Sequence, residues 1–201
     1  MVSANSADRY LPHTVQQPVK ILIVGAFGVG KTTLVGSVSE IRPLRTEETM
    51  TEAGAGVDSL AGLPEKRTTT VAMDFGRITL NERLVLYLFG APGQRRFWNL
   101  WEGLAEGAVG VLVLVDTRRL EDSFEVLDQL ELRGDTPFIV AVNRFPDTQH
   151  YSEQELRQAM DLLPETPIVE CDARDRTEAM DALIALVQHA TELSRARKVA
   201  S

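Results

Sequence analysis

The stretch Val19-Lys20-Ile21-Leu22-Ile23-Val24-Gly25-Ala26-Phe27-Gly28-Val29-Gly30-Lys31-Thr32-Thr33 decides the reading of this chain. Its first six residues are an apolar run that predicts a buried strand. Its last residues open a helix that runs on toward Glu40. Between them lies G-x-x-x-x-G-K-[ST], a pattern with a mechanism. Glycines at 25, 28 and 30 let backbone N–H groups turn inward around a phosphate without Cβ clashes. The helix N-terminus adds partial positive charge, Lys31 reaches toward terminal phosphates, and Thr32 offers a hydroxyl to Mg²⁺. The expected cradle comprises Gly25, Phe27, Gly28, Val29, Gly30, Lys31, Thr32 and Thr33, and its expected ligand is a nucleoside phosphate.

Working outward, 201 residues with 44% hydrophobic content suit one compact α/β domain. A net charge of -8 argues against a nucleic-acid partner gripped through its phosphates. No apolar stretch is long enough to span a bilayer. Residues 1–17 are polar, lack the apolar core of a signal peptide, and read as a flexible arm. The lone Cys171 excludes an internal disulfide and fits a reducing compartment. Val2 excludes myristoylation and the C-terminus carries no prenylation box, so a cytoplasmic chain without a direct membrane anchor is expected.

Strand-like and helical segments alternate along the rest. Strands are expected at 19–25, 68–80, 83–89, 108–116, 137–143 and 167–170. Helices are expected at 31–39, 95–106, 121–133, 152–162 and 176–196. A turn-rich stretch from Ile41 to Lys66 reads as a long loop, and Asn81-Glu82 as the tip of a hairpin. Continuous apolar strands between helices predict a mostly parallel sheet covered on both faces. The hairpin reverses one edge strand, giving six strands in all. The domain is expected over 18–196, with a short tail at 197–201.

Phosphate loop, long loop, threonine run, hairpin and then Gly93-Gln94 form an order that resembles the Ras-like small GTPases. The likeness covers residues 18–190. It is nearest to bacterial small GTPases of the MglA type and, closer still, to the ATP/GTP-binding member of conservon operons. The phrases that carry it are Thr68-Thr-Thr70-Val-Ala-Met-Asp74-Phe-Gly76, Leu88-Phe-Gly90-Ala-Pro-Gly93-Gln94 and Cys171-Asp-Ala-Arg-Asp-Arg176. The resemblance implies a P-loop NTPase fold of the Ras-like G-domain kind, and a switch between GTP- and GDP-bound states with slow intrinsic Mg²⁺-dependent hydrolysis.

It also implies roles. Thr70, with Thr69 as second choice, is placed to give its hydroxyl to Mg²⁺ and its N–H to the γ-phosphate; a plain strand-forming role is the alternative. The usual D-x-x-G has Gly90 where the aspartate belongs, while Gly93 is kept. Asp74 on the neighbouring strand is the substitute expected at the metal, unless it faces solvent or caps the hairpin. Gln94 takes the position that orients the attacking water. Arg67, Arg95 and Arg96 are open candidates for a stabilising cation. Trp98 is either a partner contact beside the switch or partly buried.

Base recognition fits the pattern least well. Asn143-Arg144-Phe145-Pro146-Asp147 stands where N-K-x-D is expected, with Asp147 one residue late. The resemblance has the Arg144 stem packing under the base and Asp147 reading its edge. Asp172-Ala173-Arg174 resembles the S-A-K loop, whose alanine N–H meets the guanine carbonyl. GTP is therefore expected over ATP. Implied partners are a roadblock/LC7-type regulator at the switch face and a sensor-kinase-like membrane complex that would hold the chain peripherally at the membrane. The rival reading is a nucleotide-holding module without turnover. A metabolic P-loop kinase is disfavoured, since no segment reads as an acceptor site or arginine-rich lid.

Overall fold

A computed structural model describes residues 17–51, 68–91, 103–134, 136–146 and 148–200. Among these residues, seven strands form one sheet in the order β2-β3-β4-β1-β5-β6-β7. They are β1 (Gln17–Val24), β2 (Leu44–Thr51), β3 (Thr68–Thr79), β4 (Leu84–Gly90), β5 (Ala108–Val115), β6 (Phe138–Asn143) and β7 (Ile168–Cys171). Strands β4, β1, β5, β6 and β7 run parallel, and β3 is antiparallel to both of its neighbours.

The P-loop NTPase sheet expected from the sequence is present, with its hairpin reversing one strand. The long stretch read as loop is corrected at its start, where Leu44–Thr51 pairs with β3 as a seventh strand at the sheet edge. Its sequence Leu-Arg-Thr-Glu-Glu-Thr-Met-Thr has no apolar run, because an edge strand has only one neighbour and no obligation to bury both faces.

Among the described residues, α1 (Lys31–Val38), α2 (Phe124–Arg133), α3 (Glu153–Ala159) and α4 (Arg176–Ala200) cover the sheet. A 3-10 segment, Thr117–Ser123, replaces the start of the helix expected at 121–133. Helix α4 runs to Ala200, so the expected tail at 197–201 is helical through that residue. Helix α3 starts at a capping box: Ser152 accepts from the Glu155 N–H, and the Glu155 carboxylate accepts from the Ser152 N–H. Of the helix expected over 95–106, residues 103–105 are described and helical.

Alternation along the strands divides the core in two. Ile21, Ile23, Leu112, Leu114, Ile139 and Ala141 point to the face that α1 and α4 cover, against Leu34, Val35, Leu183 and Leu186. Leu22, Val24, Val111, Val113, Val140 and Val142 point to the opposite face, against Val126, Leu127, Leu130 and Leu156. Apolar side chains at every strand position are thus required by helices on both sides. Because five strands are parallel, their C-terminal ends share one rim of the sheet. The phosphate loop, Gly90, Asp116, Asn143 and Cys171 meet there, where α/β sheets bind ligands.

Candidate functional site

The loop after β1 is built as its glycines demand. Gly25, Gly28 and Gly30 have φ of 141°, 76° and 109°, a region that residues with a Cβ rarely enter. At Gly25 a Cβ would also stand 2.2 Å from the Leu114 carbonyl oxygen. Gly30 caps α1 and receives the Leu34 N–H on its carbonyl at 2.8 Å. Lys31 folds back over the loop, and its Nζ donates to the carbonyls of Gly25 at 2.8 Å and Ala26 at 2.7 Å. An ammonium has three N–H donors, so this posture leaves a third for an anion above the loop. Burial pushes the Lys31 amine down to about 8, with the Asp74 carboxylate opposing the fall.

Beside Lys31 lies the second feature. The Thr32 hydroxyl donates to Asp74 Oδ2 at 2.5 Å, joining the first turn of α1 to the middle of β3. Asp74 is 8% exposed and lies directly across from Gly90 in the β3–β4 register. The space left by Gly90 is what admits Asp74: a Cβ on Gly90 would stand 3.1 Å from Asp74 Cβ and 3.3 Å from its Oδ2. The glycine that breaks the D-x-x-G pattern and the aspartate on the next strand are two halves of one arrangement. A hydroxyl and a carboxylate are hard oxygen donors of the kind Mg²⁺ takes, so these two residues fit that ion.

The base side is organised differently. Asn143, 4% exposed at the end of β6, donates to the Val29 carbonyl and accepts the Ala173 N–H, both at 2.9 Å. It ties the phosphate loop to the loop after β7. The Ala173 N–H, expected at a guanine carbonyl, is bonded to Asn143. The Arg144 guanidinium, expected under the base, turns to Glu178 on α4, with Glu170 at 4.0 Å. Asp172 accepts from the Arg174 N–H and side chain, and that pairing holds its carboxyl down at about 2. An open pocket of about 300 Å³ next to these residues is lined by Thr117, Phe145, Gln149 and Tyr151 among others.

Thr33 is exposed on α1, and Phe27 at the loop tip is 75% exposed. Thr70 sits in β3, paired in register with Thr49. Gly93, Gln94 and Asp147 lie outside the described residues, as do Arg67, Arg95, Arg96 and Trp98. Cys171 is fully buried, and burial pushes its thiol up to about 12, which removes it as a nucleophile near neutrality.

Three residues at this rim belong to none of the motifs. Asp116, 1% exposed at the end of β5, accepts from the Arg118 N–H at 3.0 Å and from its guanidinium at 2.8 and 2.9 Å. The Arg118 guanidinium stacks 3.8 Å over the Phe145 ring. Arg119 crosses to the phosphate loop, where Nη2 donates to the Phe27 carbonyl at 3.0 Å. A charged Asp-Thr-Arg-Arg directly after the most apolar strand is the sequence signal for them.

Known proteins share this frame. An uncharacterised protein of Methanocaldococcus jannaschii is 27% identical over 128 residues, covering 63% of this chain and 70% of that one. The Ras-related protein Rab-7b of Bos taurus is 27% identical over 192 residues, covering 90% and 85%. Among solved structures, the G domain of the T. maritima FeoB iron transporter superposes with a TM-score of 0.56 at 18% identity, covering 87% of this chain and 99% of that one. The apo cytosolic domain of the same transporter gives 0.58 at 17% identity, covering 87% of this chain and 64% of that one. Both have the G-domain fold seen here. The family described as conserved hypothetical ATP binding protein matches residues 23–193, and this chain, with its Ras-like P-loop fold, belongs to that family.

Proposed function

We propose that this protein is a small Ras-like GTPase: a nucleotide-dependent switch that binds GTP or GDP and hydrolyses GTP slowly on its own. The observation that carries the reading is the Thr32–Asp74 pair at 2.5 Å beside a Lys31 folded onto a three-glycine loop. Backbone N–H groups of residues 28–33 face the phosphates, and Lys31 gives its remaining N–H to them. Thr32 and Asp74 would hold Mg²⁺, and Thr70 would join them when the triphosphate is bound. The ion would supply positive charge to the terminal phosphates. Gly93 and Gln94 follow β4 closely in the chain and act at the γ-phosphate, Gln94 orienting the water.

Guanine preference is supported by the likeness to Rab-7b and to a G domain. Asn143 anchors the base loop, Arg144, Asp172, Ala173 and Arg174 surround the base once their internal pairs open, and Asp147 reads its edge. The family description names ATP instead, so the base is the point to test. A roadblock/LC7-type partner at the switch face would speed hydrolysis, and a membrane-bound sensor-kinase-like partner would bring the chain to the membrane. No described helix is long and apolar enough to cross a membrane. A second reading, a nucleotide-holding module without turnover, draws on the glycine at 90 and on the closed pairs of the base side.

The test is a titration of nucleotide-free protein with GDP, GTP and ATP, each with and without Mg²⁺, followed by single-turnover hydrolysis. Tight, Mg²⁺-dependent guanine binding with measurable phosphate release supports the switch. Equal affinity for ATP overturns the guanine assignment, and binding without phosphate release favours the second reading.

A further inference from the structure

We propose that Arg119 is the protein's own cation for the terminal phosphates, delivered from the segment after β5 rather than from either switch. The inference rests on the reading of the loop 25–32 as a triphosphate site. Arg119 sits at a break in the 3-10 segment, with φ of −145° and ψ of 54° among helical neighbours. That break turns its side chain from the helix surface to the crown of the phosphate loop, 92 residues earlier in the chain. There Nη2 donates to the Phe27 carbonyl at 3.0 Å, and a Cβ on Gly28 would stand 3.6 Å from the same nitrogen. The guanidinium therefore flanks the two residues at the tip of the loop.

Its charge is not consumed by its ion pairs. Asp116 is held more closely by Arg118, at 2.8 Å, than by Arg119, at 3.8 Å. Asp122 lies at 3.5 Å with 44% of its side chain exposed, the geometry of a weak surface pair. Nη2 has a second N–H beside the one given to Phe27, and a planar fork suits phosphate oxygens.

In hydrolysis the oxygen of water bonds to the terminal phosphorus. The bond from that phosphorus to the bridging oxygen breaks, its electron pair stays on the diphosphate, and of water's two protons one remains on the released phosphate and the other passes to solvent. Charge builds on the bridging and terminal oxygens. A guanidinium donating there lowers the barrier more than it tightens the ground state.

Arg119→Ala, Arg119→Lys and Asp122→Asn are compared with wild type by single-turnover hydrolysis and by triphosphate and diphosphate affinity, with thermal melts as fold controls. Arg119→Ala is expected to slow hydrolysis about 100-fold or more, leaving diphosphate affinity within about threefold. Arg119→Lys regains part of the rate, and Asp122→Asn matches wild type. A rate for Arg119→Ala within about threefold of wild type, at full nucleotide occupancy, overturns the proposal while leaving the switch reading intact. If wild type binds triphosphate but releases no phosphate, turnover fails separately, and Arg119 is read from binding. A roughly tenfold loss of triphosphate-over-diphosphate preference in Arg119→Ala then upholds its contact, and an unchanged preference overturns it. Wild type that binds no nucleotide at all overturns both.

Discussion

The two ends of the site rim differ in how far their groups are committed. At the phosphate end the loop is wrapped, Lys31 points across it, and Thr32 and Asp74 already touch. At the base end Arg144 grips Glu178, Asp172 grips Arg174, and the Ala173 N–H is spent on Asn143. Backbone geometry fixes the first arrangement, through positive φ angles that glycine adopts without a Cβ clash. Exchangeable side-chain pairs hold the second, and a base must displace some of them before it is read. Phosphate binding should therefore supply most of the affinity, and base discrimination a small difference on top of it.

The largest effect belongs to the phosphate end. Lys31→Ala should weaken triphosphate binding about 1000-fold, or roughly 4 kcal/mol, equally for GTP and ATP in a fluorescence competition assay. Unequal losses would break the separation of the two ends. Wild type also carries a pH signature. With its free-state amine at about 8, Lys31 must regain a proton when an anion binds at higher pH. Affinity is then flat below pH 8 and falls as pH rises through it, approaching about tenfold per unit. Lys31→Ala should abolish that slope.

Asn143 joins the ends, so its loss should register at both. Asn143→Ala removes two buried hydrogen bonds and strands the Val29 carbonyl and the Ala173 N–H. Denaturant titration should show a loss of about 2–3 kcal/mol in stability, with binding of every nucleotide weakened. The smallest effect is expected at Arg144, whose side chain is 43% exposed in its pair with Glu178. Arg144→Ala should change stability by about 0.5 kcal/mol or less and alter the GTP-to-ATP affinity ratio more than the affinity for either phosphate chain. A large stability loss there would mean that the base end is as rigid as the phosphate end.

What was legible in the sequence follows the same division. The phosphate loop could be read because glycine spacing and a strand-to-helix change are local signals. The hairpin placed Asp74 beside Gly90, and the register Asp74↔Gly90 bears that neighbourhood out. Strand β2 escaped because its pairing partner, not its own pattern, makes it a strand. The engagement of Arg144 was invisible for a similar reason. Glu178 lies 34 residues away, in the first turn of α4, and no spacing rule connects a motif arginine to a carboxylate on another element. Arg119 was hidden by a backbone break that only coordinates reveal.

The central claim is that Asp74 takes over the task of the aspartate that Gly90 replaces. It is tested most directly by the Mg²⁺ dependence of triphosphate affinity in wild type and Asp74→Asn. That change keeps the size of the side chain and an oxygen for the Thr32 hydroxyl, while removing the negative charge. Wild type should bind at least about tenfold more tightly with Mg²⁺ than without it, and Asp74→Asn should lose most of that gain. An Asp74→Asn protein with the full Mg²⁺ enhancement would contradict the account and send the search for the metal's carboxylate elsewhere.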